Sequence, residues 1–176
     1  MCGTQLTEGS SMISPDHAQL MANYNQWQNG SIYGAAATLS DEERRRDRGA
    51  FFKSIHGTLN HLLWGDQTWM NRLAGMPPPG VGSADTADYY DDWSKLLQER
   101  KACDASILDW TSGLSQSWLS EDLTWYSGSA GRELSKPKWL LMTHFFNHQT
   151  HHRGQVHAML TQAGAKPEDT DIIVMP

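Results

Sequence analysis

The chain is poor in cysteine, carries no excess of positive charge and contains no long apolar run. Two cysteines in 176 residues, Cys2 near the start and Cys103 in mid-chain, cannot build a disulfide framework, and such sparse thiols suit a reducing cytoplasm. A formal charge of -6 provides no general attraction for phosphates, which argues against nucleic acid as a partner. No apolar stretch approaches the roughly 20 residues that a membrane helix needs. The opening Met1-Cys2-Gly3-Thr4-Gln5-Leu6 has neither the basic nor the apolar region of a secretory signal. A Walker loop is missing, and Gly128-Ser129-Ala130-Gly131 is not the Gly-x-Ser-x-Gly of a nucleophile elbow. Tryptophan, by contrast, is plentiful at eight, and these large rings are expected to pack in the core and at interfaces.

Histidine is unevenly spread. Five of the eight lie between Leu140 and Leu160, where Leu141, Phe145, Val156 and Met159 recur at helical spacing. Residues three or four apart share a helix face, so His144, His148 and His152 form one row, while His151 turns away by about 60–80°. The row lies within the apolar stripe. A buried imidazole without a partner costs about 1–3 kcal/mol, and a divalent metal taking ring nitrogens from adjacent turns would remove that cost. His-x-x-x-His alone is a weak signal, so a metal site needs a third ligand from another segment.

Along the chain, residues 1–13 read as a frayed or extended tail, residues 14–165 as a helical body and residues 166–176 as an apolar tail packed on that body or on a second subunit. Ser14-Pro15-Asp16 is a helix start, and Leu20, Met21, Tyr24, Trp27 and Gln28 mark the helix face, with a break or kink at Asn29-Gly30-Ser31. Ser40 to Glu43 forms a capping box. The Arg44-Arg45-Arg46-Asp47-Arg48 run, with acids beside it, reads as a solvated helical segment. A second helix is predicted from about Ala50 to Ala74, ended by Gly75 and three prolines. Its apolar face holds Phe52, Ile55, Leu59, Leu62, Leu63, Met70 and Leu73, and His61 stands on a second face among Ser54, Gly57, Thr58, Gly65 and Thr68. His56 is rotated about 140° from His61 and cannot serve the same site. Taken by itself, this helix favours a hydrogen-bonded imidazole at His61 over a ligand. Residues 77–88 form a long crossing loop. A third helix is expected from Tyr89 to about Trp118, with Cys103 as a small buried residue. Residues 119–136 form an irregular hairpin or flap, and Ser135 with Pro137 opens the histidine helix, which ends at Ala163-Gly164.

Three segments together resemble the signature segments of the DinB-like, or YfiT-like, metal-binding proteins, which are unrelated to the DNA polymerase sharing the DinB name. They are Tyr24-Asn25-Gln26-Trp27-Gln28-Asn29, the run from Gly57 through His61 to Asp66, and the run from His144 to Gln155. The resemblance spans roughly residues 15 to 165 and implies an all-α, up-down-down-up four-helix bundle, often a homodimer. It implies a divalent ion, commonly zinc or nickel, held by one histidine of the second helix and two of the last, which fall here on His61, His148 and His152. It further implies a transferase or isomerase using a small thiol, with a small electrophile as the second substrate. A hydrolase or a non-catalytic stress-response binder is the alternative. Three imidazoles would leave a coordination position open, as in catalytic zinc sites. Between His148 and His152 stand Gln149, Thr150 and His151, so the glutamate base of the His-Glu-x-x-His peptidases is missing. Asp66, Tyr24 or a flap residue could act as a base, and Asp66 could otherwise pair with Arg153.

Overall fold

The computed structural model describes residues 11–128 and 130–176. The expected tail at residues 1–13 therefore lies largely outside the described residues. Four long helices and two short ones follow in order: α1 (Pro15–Ala37), α2 (Asp41–Arg45), α3 (Ile55–Ala74), α4 (Trp93–Ser112), α5 (Gln116–Ser120) and, after the hairpin β1 (Asp122–Ser127) and β2 (Arg132–Pro137), α6 (Lys138–Gln162). The long helices form a ring in which α1 touches α4 and α6, and α3 touches α4 and α6.

Side-chain pairs set the directions. Gln19 meets Thr111 and Asn29 meets Asp104, so α1 and α4 are antiparallel. His61 lies beside His152 and Trp69 beside His144, so α3 and α6 are antiparallel too. Asn60 reaches Tyr90, just before α4, and Asp66 reaches Arg100, so α3 and α4 run parallel. This is the up-down-down-up bundle of the sequence reading. Parallel neighbours need a chain return along the bundle, which is the work of the long loop between α3 and α4.

Helix ends follow local chemistry, in places differently from expectation. Ser14 caps α1 by accepting from the His17 amide, and α1 runs unbroken through Asn29-Gly30-Ser31 because Asn29 is anchored to Asp104. Its inner face is Ala18, Ala22, Asn25, Asn29, Ile32 and Tyr33; Leu20 is exposed. The second long helix starts at Ile55 rather than Ala50. Ser54 caps it, and Lys53 just before has a left-handed φ of 65° that no helix can include. Gly75 ends it in the left-handed conformation. The third long helix starts after the Asp92 cap, not at Tyr89, and stops at Gly113, leaving α5 separate. The flap is a regular hairpin in which Ser135 pairs across to Thr124, Oγ to Oγ at 2.9 Å. Ser135 is thus unavailable as a cap, and α6 begins directly after Pro137 with no side-chain cap.

One further expectation changes. Arg44 is buried rather than solvated, its guanidinium over the Trp93 ring and donating to the Leu39 carbonyl. The C-terminal segment packs on α1 only as far as residue 170, through Tyr24, Gln28 and Ser31, which bond the backbone of Thr170, Asp169 and Glu168. Beyond it the short 3-10 turn Ile172–Val174 is exposed, Ile173 to 87%. Cys103 is buried, as expected, and its burial pushes the thiol up to about 12.

The bundle centre is polar as well as apolar. Arg100 of α4, fully buried, pairs with Asp66 of α3 at 2.6 Å and with Asp104 at 2.8 Å. Gln149 of α6 donates to the other Asp66 oxygen at 3.0 Å, and Asn29 of α1 donates to Asp104 at 2.8 Å. All four long helices meet in this one network. Burial pushes both carboxyls upward. Arg100, which burial alone would push down, is held well above its ordinary value by Asp104, Cys103 and Asp66.

Candidate metal centre

The seam between α3 and α6 gathers the histidines. One ring nitrogen each of His61, His148 and His152 lies within 4.8 Å of the others, so three side chains from two antiparallel helices could hold one metal ion. His152 is buried, and His61 and His148 are half-buried. His144 borders the same row, its ring 6.0 Å from that of His148, but stays outside the cluster. His151 is exposed at its edge. His56 points elsewhere, its Nε2 bonded to the Tyr90 carbonyl at 2.9 Å, as its rotation around the helix requires.

The surroundings fit an ion. Burial drives the His61 pKa down to about 4 and that of His148 to about 3, with His152 adding to both effects, so the rings are neutral near pH 7 with lone pairs available. Gln155 Oε1 accepts from His152 Nδ1 at 2.9 Å, and Thr86 Oγ1 lies 3.1 Å from His61 Nδ1. A proton held at each Nδ1 leaves Nε2 free to donate electrons, the usual arrangement of a ligating histidine. Among the described residues, His148 Nδ1 is buried with no hydrogen-bond partner. An orphaned buried nitrogen beside two other lone pairs is the kind of cost that a bound cation removes.

Packing holds the rings in place. Phe52 stacks on His61 at 3.8 Å, and Trp64 lies on its own helix 6.0 Å away. Gly65 lets α6 approach: a Cβ there would stand 2.8 Å from His148 Cε1. Behind the triad, the Gln149–Asp66 bond ties the turn of α6 that carries His148 to α3.

Sequence reasoning missed several of these residues. Thr86 comes from the loop after α3, and a loop's approach to a helix leaves no periodic signal, while Phe52, expected on the apolar face of the second helix, lies ahead of that helix and stacks on His61 instead. Gln155 shares the His152 face at the i, i+3 spacing and could have been found. Asp66 does not pair with Arg153, which donates instead to Asn25. Nor can Asp66 serve as a base, being fully buried against Arg100. Tyr24 is engaged with Thr170 in the α1–α6 groove.

A cleft of about 850 Å³ opens beside the triad, lined by Trp64, Trp69, Trp125, Arg72, His144 and His148 among others. None of the described residues lining it is acidic.

A sequence model of the DinB family matches residues 12–175. The chain belongs to the DinB family. It is 26% identical over 166 residues to Protein DinB of Bacillus subtilis (strain 168), covering 89% of this chain and 91% of that protein. The DinB match spans all four long helices and thus both helices of the histidine seam. No helix among the described residues is long and apolar enough to cross a membrane.

Proposed function

We propose that this DinB-family protein is a metal-dependent transferase or isomerase. His61, His148 and His152 hold one divalent ion, zinc or nickel, which activates a small thiol, or water, against a small electrophilic substrate. The supporting observation is the neutral three-histidine cluster beside a cleft with no carboxylate among its described lining residues. When bound, the ion supplies Lewis acidity that keeps a thiol deprotonated near neutral pH.

The chain's own residues do the rest. Thr86 and Gln155 hold the Nδ1 protons of His61 and His152, and Phe52 and Trp64 shield the His61 ring from water. His144, whose pKa burial and then Arg72 push down, is neutral at the cleft and can take up the thiol proton at a ring nitrogen. Water-splitting chemistry needs a positioned base. Between His148 and His152 no carboxylate stands ready, since Gln149 is committed to Asp66 and His151 is exposed at the edge, and this favours a thiol, which a metal holds deprotonated without a strong base, over water. The lack of a carboxylate beside the ligands also suits a non-catalytic ligand-binding or stress-response role.

Elemental analysis of untagged protein tests the metal. A thiol-dependent conjugation assay with an epoxide or chlorinated electrophile, comparing wild type with His148→Ala, tests turnover. The expected result is near-stoichiometric divalent metal and a thiol-dependent rate, both lost in the variant. Metal without turnover across several thiols would leave a binder, and absence of metal would overturn the reading. The protein acts in the cytoplasm as a homodimer, in which a second copy covers the exposed Ile172–Val174 turn. Light scattering at micromolar concentration reads the dimer directly.

A further inference from the structure

Among the described residues, Arg72 is a partly buried arginine without a carboxylate partner. Arg44, Arg45, Arg46, Arg48 and Arg100 each pair with a carboxylate. Arg72 is half-buried in the wall of the cleft, and among the described residues its charged group contacts only the ring of Trp69, at 4.8 Å. Burial pushes its pKa down with nothing opposing, the mark of a cation given up by water and not yet compensated. Lys136, also unpaired, faces the same cleft. In a chain of net charge -6, this cleft is a cationic recess with an apolar wall of Trp64, Trp69, Trp125, Leu134 and Leu141.

Helical spacing aligns the recess with the histidines. His61, Gly65, Thr68 and Arg72 fall at i, i+4, i+7 and i+11 on one stripe of α3, about 16 Å from end to end. On the antiparallel α6, His148 meets Gly65 and His144 meets Trp69. His148 therefore belongs both to the triad and to the cleft, with the triad at one end and Arg72 at the other.

We propose that the cleft binds a carboxylate-bearing small molecule with an aromatic or apolar body, its acid on Arg72 and its body along the wall formed by the edge-to-face pair Trp69 and Trp125, whose ring centroids are 5.9 Å apart. A guanidinium fork matches a carboxylate in shape and charge, and tryptophan faces suit a flat apolar body. That this molecule is the electrophilic substrate rests on the function proposed above; the anion site does not.

Calorimetric titration with 3-phenylpropionate and its neutral amide, 3-phenylpropanamide, tests the site. Both probes are run on the protein as purified and after removal of metal by a chelator. The acid is expected to bind about tenfold or more tighter than the amide in both preparations, and 0.5 M salt should narrow the gap. Arg72→Gln should abolish the preference and Arg72→Lys should keep part of it, with metal content unchanged in each. Equal binding of acid and amide by wild type, or a preference that survives Arg72→Gln, would overturn the proposal. A preference present only in metal-loaded protein would overturn it too, by assigning the acid to the ion. Protein that carries no metal as purified yet shows an Arg72-dependent preference would uphold the anion site while removing the metal-dependent function.

Discussion

Gly65 shows how one missing carbon shapes the site. In most helix interiors Gly→Ala stabilises by about 0.5–1 kcal/mol, but here the added Cβ would stand 2.8 Å from the His148 ring. That ring is a movable side chain, so the clash is relieved by displacing it. Gly65→Ala should therefore leave the melting temperature level or raised while weakening metal affinity about tenfold or more, as read by competition with a chromophoric chelator. Unchanged affinity would show that the His148 position is unimportant. The same ring governs a pH response. Its pKa is near 6.5 unfolded and about 3 folded, so between those values the unfolded chain binds the proton and the folded chain does not. Stability is thus lost as pH falls through this window. Metal-free wild type should lose more stability between pH 6.5 and 4 than metal-free His148→Gln does, measured by urea melts, and equal losses would refute this.

Between elements, the register of α3 against α4 and α6 is set by the Arg100 network. Asp66, Asp104, Gln149 and Asn29 reach it from four helices, and Arg100 is 1% exposed. Removing the cation strands two buried carboxylates. Arg100→Leu should cost about 3–5 kcal/mol in denaturant unfolding, more than Arg45→Leu, whose ion pairs are at the surface and worth about 0–1 kcal/mol. If the two variants match, the network contributes no more than a surface pair. Sequence periodicity located the long helices, and local cap residues fixed some ends, such as Ser14 and Gly75, but not others. Ser135 has the residue type of a cap, yet its pairing with Thr124 decides its state, and strand pairing is a contact made at a distance in the chain. Likewise, the stripe read through Leu20, Met21 and Trp27 differs from the buried seam of α1, because Asn25 and Asn29 are inside by virtue of partners on other helices.

For the molecule as a whole, a metal ion held across α3 and α6, as proposed, would couple binding to global unfolding. At a free ion concentration of 100 Kd the folded state gains about 2.7 kcal/mol, which for a chain of this length raises the melting temperature by roughly 5–10 °C. Thermal melts with and without chelator check this, and coincident curves would deny a metal across the seam. What the sequence by itself determined was periodic and local: the helical class, the caps at Ser14 and Ser40, the shared face of His148 and His152, and the exclusion of His56 from the face of His61. Angles of 100° per residue carry that much. Only the tertiary structure decided that His61 stands against His148 and His152, that Thr86 and Phe52 arrive from loops, that Asp66 serves Arg100, and that Arg72 is left without an acid. Each of these is a meeting of side chains far apart in sequence, and such meetings depend on how apolar faces and buried charges pack together, which no spacing along one helix encodes.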